Sequence, residues 1–144
     1  MNPFKSALTL TFMLMLGLCS FTATAEDNGN MTSAPAMDHQ HVARAVFTSG
    51  VENREPVDTI TTLSNDKDKI YFFTDLRGLG GQTVTHRWEY QGKTVSEVKF
   101  NVGGPRWRVW TSKNIPVKWV GPWVIEVVDE DENVLTQKLF YYSP

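Results

Sequence analysis

Cysteine is almost missing from this chain. The one thiol among 144 residues is Cys19, inside the N-terminal apolar segment. A disulfide framework and a thiolate metal site are therefore excluded, and the inventory of nucleophiles loses its most reactive member. An excess of charge is lacking too: 14 basic side chains stand against 16 acidic ones, a formal net charge of −2. No basic stripe of the kind that accompanies nucleic-acid binding stands out, and that partner class is set aside. The apolar run from Leu8 to Leu18 is about ten residues, short of the roughly twenty that cross hydrocarbon. No segment of helical length carries a sustained apolar stripe at i, i+3, i+4 and i+7. Nucleophile-elbow, phosphate-loop and paired metal-ligand motifs are also missing.

What is present begins with export. Lys5 precedes the apolar run, which leads to the small-residue triplet Ala23-Thr24-Ala25. This is the pattern of a cleaved signal peptide, since the apolar core enters the membrane and signal peptidase admits only small side chains before the cut. Residues 1–25 are read as that peptide and the product as periplasmic or secreted, without a transmembrane anchor. Cys19 follows Leu18, a larger residue than lipid attachment normally requires, which argues against a lipoprotein. Residues 26–41 are polar and aperiodic, with too little apolar surface to offset the entropy of ordering, and read as a flexible tether. Met31, Met37, His39 and His41 are copper-compatible types scattered there. Their loose spacing makes incidental placement the better reading, and neither a metal nor a cofactor is expected.

From Val42 onward, short β-rich runs alternate with turn residues. Val42–Thr48, Ile70–Thr74, Gln82–Tyr90, Lys93–Val102, Arg106–Thr111, Trp123–Asp129 and Val134–Tyr142 predict about seven strands. In the third, Val84, His86, Trp88 and Tyr90 share one face, with Thr83, Thr85, Arg87 and Glu89 opposite. Gln91-Gly92 predicts a tight turn into the fourth. The near-continuous apolar character of WVIEVVD predicts a central strand. Strand number and turn spacing over residues 42–144 point to one all-β domain, an antiparallel β-sandwich of immunoglobulin-like type, with a small β-barrel as the alternative.

Five strings carry a resemblance: RAVFTSGVENREP from Arg44, YFFTDL from Tyr71, HRWEY from His86, PRWRVWTSK from Pro105 and GPWVIEVVD from Gly121. They resemble the bacterial family called domain of unknown function 2914, over about Val42 to Tyr142. The resemblance implies an envelope-associated β domain and supplies no reaction, ligand or catalytic residue.

The chemistry-bearing set is aromatic and guanidinium: His86, Trp88, Arg106, Trp107, Arg108, Trp110, Trp119 and Trp123. Indole faces stack on sugars or planar cations, and guanidinium forks hold carboxylates or phosphates in paired hydrogen bonds. A cell-envelope polymer, such as an acidic glycan, or a protein partner is the expected ligand, with Trp110, Arg106, Arg108, His86 and Trp88 as candidate contacts and Trp110 foremost. The competing account places Trp107 and Trp123 in the core and makes the arginines a cation–π ladder that needs no ligand. Arg54-Glu55-Pro56 reads as a structural clamp at a bend, and Asp129–Glu132 as a solvated turn rather than a calcium loop. His86 is the sole focus for catalysis, as the centre of a small hydrolase, but its neighbours Val84, Trp88 and Tyr90 favour a hydrogen-bonded core histidine. The leading expectation is a non-catalytic recognition module. The alternatives are that hydrolase, or a structural domain that pairs with another protein through a sheet edge.

Overall fold

The computed structural model describes residues 40–144. The expected signal peptide, the tether up to residue 39 and the copper-compatible Met31, Met37 and His39 lie outside the described residues. β-Branched and aromatic side chains at alternate positions yield seven long strands: β1 (Val42–Thr48), β5 (Lys69–Arg77), β6 (Thr83–Tyr90), β7 (Lys93–Asn101), β8 (Arg106–Asn114), β9 (Gly121–Val128) and β10 (Val134–Ser143). Three short pieces complete the set: β2 (Val51–Glu52), β3 (Glu55–Pro56) and β4 (Thr62–Ser64). The seven predicted strands are the seven long ones. The short ones carry too few residues to show a period of two.

Two sheets form, ordered β1-β5-β8 and β4-β10-β9-β6-β7, with β2 and β3 as a separate two-stranded ribbon. Neither sheet closes on itself, so the architecture is the sandwich and not the barrel. All pairings are antiparallel except β4 with β10, where Thr62–Ser64 runs parallel to Tyr141–Ser143. Among the long strands, the first, second and fifth make one sheet, and the fourth, third, sixth and seventh the other. This is the immunoglobulin-type Greek key with the fourth long strand paired to the third.

The inner faces meet in one core. Phe47 and Phe72 from the three-stranded sheet pack against Trp88 and Phe140 from the other, with Phe47 and Phe140 ring centres 4.6 Å apart. Trp123, Ile125 and Val127 on β9 are fully buried, as befits a strand flanked by β10 and β6. Burial of the five aromatic side chains among these, Phe47, Phe72, Trp88, Trp123 and Phe140, removes roughly several hundred Å² of apolar surface from water, at roughly 25 cal/mol per Å² the dominant stabilising contribution. Trp123 being buried and Trp107 packing on the core confirm the face assignment on which the strand reading rests.

Two local features re-phase the pattern. A bulge between Val134 and Thr136 turns Leu135 inward, where plain alternation places it outside. The Gln91-Gly92 turn has φ of 51° and 71°, the left-handed pair that a two-residue hairpin needs.

Candidate functional site

β5 is buried at six of its nine positions because both of its faces are covered. Ile70, Phe72 and Leu76 point into the core. Tyr71, Phe73 and Asp75 point the other way, yet Phe73 is fully buried. Arg44 lies over the Phe73 ring, and the β2–β3 ribbon reaches across this face through Glu55, which meets Arg44 on β1 and Arg108 on β8. The ribbon leaves β1 at Ser49, turns at Asn53-Arg54, where φ is 51° and 63°, and returns at Asp58. Its base is clipped by Asp58, whose carboxylate accepts from Thr48 Oγ1 at 2.7 Å and from Ser49 N and Oγ at 2.7 and 2.5 Å. Burial disfavours the ionised Asp58, but the Ser49 and Thr48 donors outweigh it and hold the carboxyl below its usual value.

Glu55 ties the ribbon down on both sides of β5. It accepts from Arg44 on β1 at 3.0 Å and from Arg108 on β8. Arg44 also lies over the Phe73 ring, 5.6 Å from its centre. Asp75 on β5, in register between Arg44 and Arg108, accepts from Arg106 on β8 at 2.8 Å and from Arg77 at 3.1 Å. Asp75 is nearly buried, which alone raises its pKa; the hydrogen bond from Arg106 and the charge of Arg77 overcome this and lower it. Each carboxylate is thus shared by two guanidiniums. The pairs engage one donor on Arg44, Arg77 and Arg108 and two on Arg106, of the five that a guanidinium carries.

Beside this network Trp110 is 38% exposed. It shares a shallow cleft of about 300 Å³ with Arg54, Trp107, Arg108 and Val109. Of the five candidate contacts, the structure brings together Trp110, Arg106 and Arg108 and sets His86 and Trp88 apart. Those two are fully buried on the inner face of β6, so neither ring meets a ligand at the surface.

His86 sits in a closed hydrogen-bond chain between the sheets. Thr74 Oγ1 donates to the Val109 carbonyl at 3.3 Å, so His86 Nε2–H donates to Thr74 at 3.1 Å. The other ring nitrogen, Nδ1, then accepts from Thr111 Oγ1 at 3.0 Å, and Thr111 accepts from Trp88 Nε1–H at 3.3 Å. Burial drives the imidazole pKa down to about 3. A sealed, neutral histidine whose two partners are threonine hydroxyls cannot exchange protons with a solvent-borne substrate, which removes the centre of the hydrolase alternative. Among the described residues no group of three or more His, Cys, Asp or Glu is placed to hold a metal ion. His41, the described member of the copper-compatible set, has Nδ1 2.9 Å from the Arg77 carbonyl.

Sequence reasoning missed the ribbon's role. It paired Glu55 locally, whereas the carboxylate reaches Arg44 and Arg108, 11 and 53 positions away. It also missed Arg44, Arg77 and Asp75 as members. Alternation along β5 places Asp75 and Arg77 on one face, but which strand lies beside them is not a local property.

The model of the family described as Protein of unknown function (DUF2914) matches residues 81–141. This segment is similar to that family. The DUF2914 match spans β6 to most of β10, so it includes Arg106, Arg108 and Trp110 and leaves out β1, the ribbon and β5. Two of the four guanidiniums of the network, Arg106 and Arg108, thus come from the matched segment, and Arg44, Arg77 and both carboxylates from the strands before it. No curated protein matches the chain. Among solved structures, a crystal structure of Se-Met labelled beta-glucosidase from Kluyveromyces marxianus is similar at 15% identity and a TM-score of 0.38, over 70% of this chain and 14% of that one.

Proposed function

We propose that this protein is a non-catalytic, exported binding module of the cell envelope, which holds an acidic polymer or an acidic protein surface on the outer face of its three-stranded sheet. One observation carries this reading: five of the six arginines, Arg44, Arg54, Arg77, Arg106 and Arg108, gather on that face and its ribbon. They meet Glu52, Glu55 and Asp75 there, leaving a local formal excess of two positive charges on a chain that is net negative. The sixth, Arg87, lies on the other sheet, paired with Glu97, Glu126 and Glu132. The two faces therefore differ in sign, which orients an approaching polyanion toward the arginines. Trp110 supplies an apolar face beside guanidiniums that still have donors to offer, a combination suited to an acidic sugar ring.

Binding to polygalacturonate, followed by calorimetry at increasing salt, tests this. Arg54→Gln touches an exposed side chain without an ion pair among the described residues, and Trp110→Ala removes the platform. Both variants are expected to stay folded by circular dichroism and to bind at least severalfold more weakly, with a shallower salt dependence for Arg54→Gln. Unchanged affinity in both overturns the reading.

A further inference from the structure

A second aromatic site lies away from the arginine face, on the connection between β8 and β9. This loop is rigidly held. Ile115 is buried and its amide donates to the Asp68 carbonyl at 2.6 Å, while the Trp119 amide closes a turn onto the Pro116 carbonyl at 2.8 Å. Two aromatic side chains then clamp its carbonyls: Trp123 Nε1 donates to Trp119 O at 3.0 Å and Tyr90 Oη to Val120 O at 2.9 Å.

The Trp119 ring ends an aromatic column that starts in the core. Phe140 stacks on Trp123 at 6.2 Å, Trp123 on Trp119 at 5.8 Å, and Tyr90 on Trp119 at 5.0 Å with the planes 15° apart. The indole's orientation is therefore set before any ligand arrives, while 38% of the residue remains in solvent. It borders a cleft of about 470 Å³ shared with Tyr90, Gln91, Lys93, Val95 and Lys118. No carboxylate lines this cleft, and neither Lys93 nor Lys118 joins an ion pair among the described residues.

We infer that this cleft is a binding subsite for an anionic saccharide. A sugar ring has an apolar C–H face for the indole and its polar groups at the perimeter, where the Gln91 amide and two ammonium groups stand. The column occupies one side of the platform, so a single stacked ring is accommodated, not a base held between two. Two uncompensated cations select a carboxylated ring over a neutral one. Preorganisation by the stack and the two carbonyl clamps removes part of the ordering cost of binding. This subsite shares no residue with the arginine face and stands or falls independently of it.

The test is titration of the full chain with trigalacturonate, reading the Trp119 indole N–H by heteronuclear NMR and affinity by calorimetry. Neutral galactotriose and phosphatidylglycerol vesicles serve as comparisons. Trigalacturonate is expected to shift the Trp119 resonance, and Trp119→Ala to weaken binding by about tenfold or more. Because that variant also removes part of the column, a Lys93→Gln/Lys118→Gln double variant, altering exposed side chains alone, provides the second arm. It is expected to weaken trigalacturonate by about fivefold or more and to leave galactotriose unchanged. Trp110→Ala is expected to leave the Trp119 shift intact, which separates this subsite from the arginine face. A Trp119 resonance that trigalacturonate does not move, one that responds to vesicles alone, or an unaltered affinity in the lysine variant overturns the inference.

Discussion

Mild acid should destabilise this protein through His86, which is buried and neutral in the folded chain. In the folded chain burial holds the imidazole at about 3, against 6.5 for an exposed histidine. Between those values the unfolded chain takes up a proton that the native chain refuses. Stability therefore rises with pH across the window and is lost as pH falls below about 6.5. Relative to pH 7.5, the expected loss from this group is about 1 kcal/mol at pH 5.5 and about 3 kcal/mol at pH 4.5. Asp58, Asp75 and Asp129 are likewise shifted down, from 3.8, so the stability they contribute is also lost as pH falls, but only through that value and below it. Urea denaturation at pH 7.5, 5.5 and 4.5, on wild type and His86→Gln, isolates the effect. The variant breaks the chain linking Thr74, Thr111 and Trp88 and is expected to be less stable at pH 7.5 by about 1–3 kcal/mol. It should also lose the His86 contribution to the acid slope. Equal slopes in the two proteins, or a His86 ring that titrates near 6.5 by NMR in the folded wild type, would refute the reasoning.

Two further outcomes follow from single contacts. At Gly103 a Cβ would lie 2.7 Å from Trp107 Cζ3 and 2.8 Å from Cη2, so Gly103→Ala should cost about 1–3 kcal/mol by denaturation, and less in a Trp107→Leu background where those atoms are gone. Asp75→Asn removes the charge shared by Arg77 and Arg106; because both guanidiniums are about half exposed the cost should be only about 1–2 kcal/mol, and retention on immobilised polygalacturonate should increase as the two arginines are released.

Much of the framework was legible because it rests on a local rule. Side chains alternate across a strand, so Val84, His86 and Trp88 on one face of β6, and Trp123, Ile125 and Val127 on β9, announce which way the interior lies. Gln91-Gly92 was equally legible, since a two-residue hairpin needs left-handed backbone that glycine adopts freely. His86 as a hydrogen-bonded interior histidine was visible from its apolar companions, although its threonine partners 12 and 25 positions away were not. The short strands β2, β3 and β4 were hidden, for two or three residues contain no period. The arginine face was hidden too, since the arginines lie between positions 44 and 108 and the near-neutral composition averages them with the acids around Arg87.

By itself the sequence determined the seven long strands, their inward faces and the indoles that fill the interior, because those properties depend on neighbours one and two positions away. Only the tertiary structure decided that a ribbon lies across β5, that Glu55 and Asp75 each serve two guanidiniums, and that Trp119 stands at the end of a buried aromatic column beside two lysines that join no ion pair among the described residues. These depend on which strands become neighbours and which loops fold over them. That pairing minimises exposed apolar area and unpaired backbone over the whole chain, and no local window contains the balance.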